Sequence, residues 1–127
     1  MKVRISSEVL AGIRAHAAAE PGREVCGLLL GSDDHVTSFQ PTANGAEDPQ
    51  RHFEIDSAAL FAALRDERAG GPKLVGYYHS HPHGAAEPSA TDHAGAAPDG
   101  KVWLILAGDA VTGWRAGPDG FEPLQIG

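Results

Sequence analysis

The chain has 127 residues, 42% of them hydrophobic and 21% charged, proportions ordinary for one globular domain able to bury a core. Seventeen acidic residues against ten basic ones leave a formal net charge of −7 with no basic cluster, which argues against a nucleic-acid partner. The opening MKVRISSEVL carries no apolar leader, no apolar run is long enough to span a bilayer, and a single cysteine forms no intrachain disulfide, so one cytoplasmic domain over residues 1–127 is expected.

Residues 1–5 read as a short extended lead. Ser6 or Ser7, with Glu8 just behind, caps a helix to about residue 20, and Pro21-Gly22 stops it. Val9, Leu10, Ile13 and Ala17 make its buried stripe, with His16 on the polar side. Residues 24–31, EVCGLLLG, read as a buried strand that opens on a carboxylate, Glu24. Cys26, two residues on, shares a face with Glu24 and reads as a small buried side chain, with contact to a nearby metal as the alternative. Residues 35–42 form its hairpin partner, 43–51 a polar turn-rich loop and 52–55 a short strand. Asp56 or Ser57 then caps a helix to about residue 68 that turns Ala59, Leu60, Ala63 and Leu64 inward.

After Gly70, Gly71 and Pro72, residues 73–78 are rich in strand formers, and alternation puts Val75, Tyr77, His79 and His81 on one side. Pro82 cannot continue a ladder, so both histidines fall at the strand's C-terminal mouth. Imidazoles at i and i+2 on an extended segment converge on one point. Downstream, Ser89 reads as the N-cap of a helix to about residue 97, with Asp92 in its first turn. Residues three apart share a helix face, so the Ser89 hydroxyl and the Asp92 carboxylate can point back at the histidines. His83 and His93 flank this group on the loops. Strands at 101–107, 111–116 and 121–126, joined by glycine-rich turns, complete the chain. The expected class is α+β, with a curled mixed sheet flanked by helices.

Two imidazoles and a carboxylate, His79, His81 and Asp92, are the three protein ligands a catalytic zinc keeps when its fourth position stays open. A donor set dominated by imidazole favours zinc over magnesium or calcium, with iron, nickel or cobalt able to occupy it. Glu24 is then the best candidate for a general base.

Glu24 ahead of VCGLLLG, followed by His79-Ser80-His81-Pro82, Ser89 and Asp92, resembles the JAMM motif of MPN-domain zinc metalloproteases at every position the motif names. The short connections at 43–51 and 93–101 are similar to those of compact prokaryotic members, including the CysO-cysteine peptidase type. The resemblance implies that His79, His81 and Asp92 bind zinc, that Glu24 holds and deprotonates a water, and that Ser89 stabilises the oxyanion. It implies an architecture similar to cytidine deaminases, whose thiolate ligands are absent here. It also implies hydrolysis of the bond after the C-terminal Gly-Gly of a ubiquitin-like sulfur carrier, with cysteine as one leaving group and the tail laid as an added strand on a sheet edge. A non-enzymatic MPN-like scaffold and the RadC-type branch linked to DNA repair are the competing readings. A scaffold would lack ligands, and the RadC type usually carries an N-terminal DNA-binding region. The oligomeric state is left open.

Overall fold

The computed structural model describes residues 2–49 and 52–127; Met1 of the expected lead and Gln50 and Arg51 of the expected polar loop lie outside them. Short apolar segments bounded by turn residues form seven strands among the described residues: β1 (Lys2–Ile5), β2 (Cys26–Ser32), β3 (His35–Thr42), β4 (Lys73–Ser80), β5 (Val102–Ala107), β6 (Ala110–Gly117) and β7 (Gly120–Ile126). Three helices, α1 (Ser7–Ala19), α2 (Ser57–Arg68) and α3 (Ala90–Gly95), interrupt them.

The strands close on themselves in the order β1-β3-β2-β4-β5-β6-β7 as a mixed barrel, which corrects the expected curled sheet flanked by helices. The N-terminal segment is the reason, being more than an extended lead: β1 pairs in parallel with both β3 and β7 and joins the two edges. Val3 and Ile5 are buried there, so closure covers apolar surface and removes the open edges that a sheet would present.

Two apolar clusters fix the helices. Val9 and Ile13 of α1 pack with Leu29, Val36, Tyr78, Leu104 and neighbouring strand residues. Ala63 of α2 packs with Leu28 and Leu74, with Leu60, Leu64 and Tyr77 beside them. β2 and β4 therefore bury both faces, one toward each helix.

β4 does not alternate as expected. Its register on β2 steps from Leu30↔Leu74 to Leu29↔Gly76, leaving Val75 as an extra residue. The bulge puts Val75 with Tyr78 in the α1 cluster and Leu74 with Tyr77 in the α2 cluster, so Val75 does not share a side with Tyr77 and His79. Two further boundaries move. β2 starts at Cys26, because the Val25 N–H is taken by the Ser80 hydroxyl and the Glu24 N–H by the Pro49 carbonyl. Residues 52–55 form no strand; only an isolated bridge, Asn44↔Ile55, remains.

Candidate metal centre

β4 runs parallel to β5, and the pairing continues past its last residue: the His81 N–H donates to the Leu106 carbonyl at 2.7 Å. That keeps residues 79–81 extended and sends both rings to one side. α3 supplies the third group. Its Ser89 N-cap accepts the Asp92 N–H at 3.0 Å, and the Ser89 N–H donates to Asp92 Oδ2 at 2.9 Å, so a reciprocal capping box fixes the carboxylate. The Ser89 hydroxyl accepts that one bond and still has its own proton to donate.

The result is a tight triangle. His79 Nε2 and His81 Nε2 lie 3.0 Å apart, and each is 3.1 Å from Asp92 Oδ2. Glu24 closes the group from just ahead of β2: it, His79 and His81 offer ligand atoms all within 4.8 Å of one another. Glu24, His79 and Asp92 are almost wholly buried, and Glu24 Oε1 has no hydrogen-bond partner among the described residues. The structure thus brings together the five residues singled out from the sequence, with Ser89 joined through Asp92.

Electrostatics follow from burial and proximity. Burial pushes the Glu24 carboxyl up to about 7; His81 opposes this, while Asp92 and Asp48 add to it. Burial holds His79 below its ordinary value, partly offset by Asp92. Burial would lower His81 as well, but Asp92, the Ala85 carbonyl and Glu24 outweigh it and raise the ring. Burial would raise Asp92, yet the two histidines and the Ser89 N–H hold it well below the usual carboxylate range.

The donor set fits a zinc ion. Tetrahedral zinc with bonds of about 2.0–2.1 Å separates its ligands by roughly 3.3 Å, close to the triangle's edges. The ring tautomer agrees: His81 Nδ1 faces the Ala85 carbonyl at 2.8 Å, and a carbonyl only accepts, so Nδ1 carries the proton and Nε2 keeps a lone pair aimed into the triangle.

Four neighbours escaped the sequence reading. The Ser80 hydroxyl accepts the Val25 N–H at 2.9 Å, tying the ligand strand to the residue after Glu24. Phe53 stacks on the His79 ring, centroids 4.1 Å apart and planes 18° from parallel, and Trp103 meets both rings edge-on at 5.6 Å. Asn44 bonds to backbone on both sides of Phe53. A lone aromatic in the otherwise polar stretch 43–54 was the available signal. Cys26 stands opposite His79 in the ladder, yet its thiol contacts Thr42 Oγ1 at 3.5 Å and the Ala43 carbonyl at 3.7 Å, and burial raises its pKa. It is a neutral buried thiol directed toward β3. His93 lies edge-on to Phe121, centroids 5.2 Å apart, and His83 is exposed.

A cavity of about 380 Å³ lined by Phe53, Ile55, Leu60, Tyr77 and Trp103 runs up to Asp92. A second, of about 460 Å³, reaches His81 between Arg14, Pro82 and Leu106.

Residues 6–117 match the model of the prokaryotic homologs of the JAB domain. The chain is similar to the desampylase of Haloferax volcanii, 36% identical over 121 residues that cover 93% of this chain and 87% of the relative. It is also similar to a probable TtuB-protein conjugate cleaving protease of Thermus thermophilus, 37% identical over 62% of this chain and 53% of the relative. Among solved structures, the solution structure of protein DSY2949 from Desulfitobacterium hafniense superposes with a TM-score of 0.85 at 28% identity, covering 98% of this chain and 90% of that one.

Proposed function

The chain belongs to the family of prokaryotic homologs of the JAB domain, the compact prokaryotic branch of the JAMM/MPN proteins, and from that premise we propose that it is a zinc-dependent hydrolase of ubiquitin-like protein conjugates. The observation that carries this is the triangle of His79 Nε2, His81 Nε2 and Asp92 Oδ2 at 3.0–3.1 Å, with the buried Glu24 carboxylate beside it.

In this proposal His79, His81 and Asp92 hold zinc, which when bound supplies Lewis acidity toward water and toward a carbonyl oxygen. Glu24 takes a proton from the attacking water and returns it to the leaving amine. A carboxyl at about 7 suits both halves of that transfer near neutral pH. Ser89, with its hydroxyl proton unused by the capping box, donates to the scissile carbonyl oxygen as charge develops there, a contribution on the order of 3 kcal/mol in sites of this kind.

For the substrate, the support comes from relatives: one is named a desampylase and another a probable TtuB-protein conjugate cleaving protease. We take the substrate to be a ubiquitin-like sulfur carrier cleaved after its Gly-Gly tail, because only glycine lets backbone approach a centre this buried. Strand addition to a free sheet edge is a poor route for the tail, since the barrel joins its edges through β1. The groove that runs up to Asp92 is the better one.

The test is direct. Gly-Gly-tailed carriers bearing a C-terminal extension are incubated with the protein, with and without chelator, and read by intact mass. Cleavage that chelator abolishes is expected. Glu24→Gln should keep zinc and lose turnover, and Asp92→Ala should lose both. Normal hydrolysis by Glu24→Gln removes it from the mechanism.

A further inference from the structure

We propose that Asn44 is a positioning residue that sets the base and one metal ligand together, an inference that rests on the roles given above to Glu24 and His79. Its carboxamide uses all its main bonding positions. Nδ2 donates to the Glu24 carbonyl and to the His52 carbonyl, each at 2.9 Å, and Oδ1 accepts the Ala46 N–H at 3.0 Å and the Glu54 N–H at 3.1 Å. One side chain therefore ties the backbone of Glu24 to both residues that flank Phe53.

Each end of this clamp bears on the centre. Glu24 lies outside the β2 ladder, so nothing in the sheet fixes its backbone; Asn44 holds its carbonyl and Pro49 its N–H, at 2.6 Å. Phe53 lies flat on the His79 ring. His79 needs such support, because its partner ligand His81 is oriented by a hydrogen bond from Nδ1, whereas the buried Nδ1 of His79 has no partner among the described residues. Metal-binding imidazoles are usually oriented by a bond to their second nitrogen. Here stacking by Phe53, with the edge of Trp103, takes that place, and Asn44 holds Phe53 in register with Glu24.

Asn44→Asp tests this, since it keeps Oδ1 but turns two donors toward carbonyls into an acceptor. Two quantities are read below the melting temperature: zinc affinity by competition with a chromogenic chelator, and the ring-current shift of the His79 ring protons in the metal-free protein. The zinc dissociation constant should rise roughly 10- to 100-fold, as when an orienting partner of a ligand is lost, and the His79 signals should move toward unstacked values. An Asn44 that serves stability alone would lower the melting temperature and leave both readouts unmoved; that result overturns the proposal. If Asn44→Asp does not fold, Phe53→Leu decides through zinc affinity: a zinc dissociation constant raised roughly 10-fold or more supports the proposal, and wild-type affinity overturns it. A wild-type protein that binds no zinc would instead sink the hydrolase reading, while the ring-shift arm still judges the clamp.

Discussion

Glu24 is a carboxylate held where water does not solvate it, and that has a cost that can be measured apart from catalysis. Its carboxyl is raised from 4.5 to about 7, chiefly by burial. Between those values the folded chain binds a proton that the unfolded chain has released, so stability falls as pH rises through the window and stays lower above it. In chelator-treated protein, Glu24→Gln should therefore be more stable than wild type at pH 8, by on the order of 2 kcal/mol, with the gain vanishing below about pH 4.5. Denaturant unfolding at several pH values checks this; equal stability at pH 8 would mean the pocket solvates Glu24 after all. The position of the ligands was legible from the sequence because their geometry is local: His79 and His81 are two apart on extended chain, Ser89 and Asp92 three apart across a helix cap. Phe53 and Asn44 were not legible, because they reach the centre through contacts with His79 and Glu24, both distant in the chain.

At the scale of elements, β4 does the positioning. It is packed on both faces, carries the bulge at Val75, and ends on His79 and Ser80. Gly76 of β4 lies beside Val102 of the parallel strand β5, and a Cβ there would overlap the backbone of Val102. Backbone cannot rotate aside as a side chain can, so Gly76→Ala should cost about 3 kcal/mol or more, at or above the upper end for overpacking. Because the strand would shift against β5, zinc affinity should fall with it; thermal melts and zinc competition on one sample test both. A variant as stable as wild type would show that the two strands separate more easily than their register suggests. The bulge itself carried no clear mark in the sequence. KLVGYY reads as uninterrupted alternation until pairing with β2 shows that Val75 has no opposite number.

On the scale of the whole molecule, the barrel is held unevenly. β2 and β4 are covered by both helix clusters, whereas β1 is four residues long and its register holds two pairs with β3 and two with β7. Native-state hydrogen exchange should find β2 and β4 amides opening only with global unfolding and the β1–β7 seam opening at lower free energy. The centre, on β4 and α3, lies well around the barrel from that seam. Uniform protection across all strands would contradict this picture. No helix of the described residues is long and apolar enough to cross a membrane. The sequence by itself determined the α1, α2 and α3 segments, most strand segments and the spacing of His79, His81, Ser89 and Asp92, since each depends on periodicity, capping or turn chemistry within a few residues. Only the tertiary structure decided that β1 closes a barrel, that β4 bulges, and that Asn44 and Phe53 link the base to the ring of His79. Those features depend on which distant segments pair, and many pairings satisfy the same local pattern until the burial of the whole chain selects one.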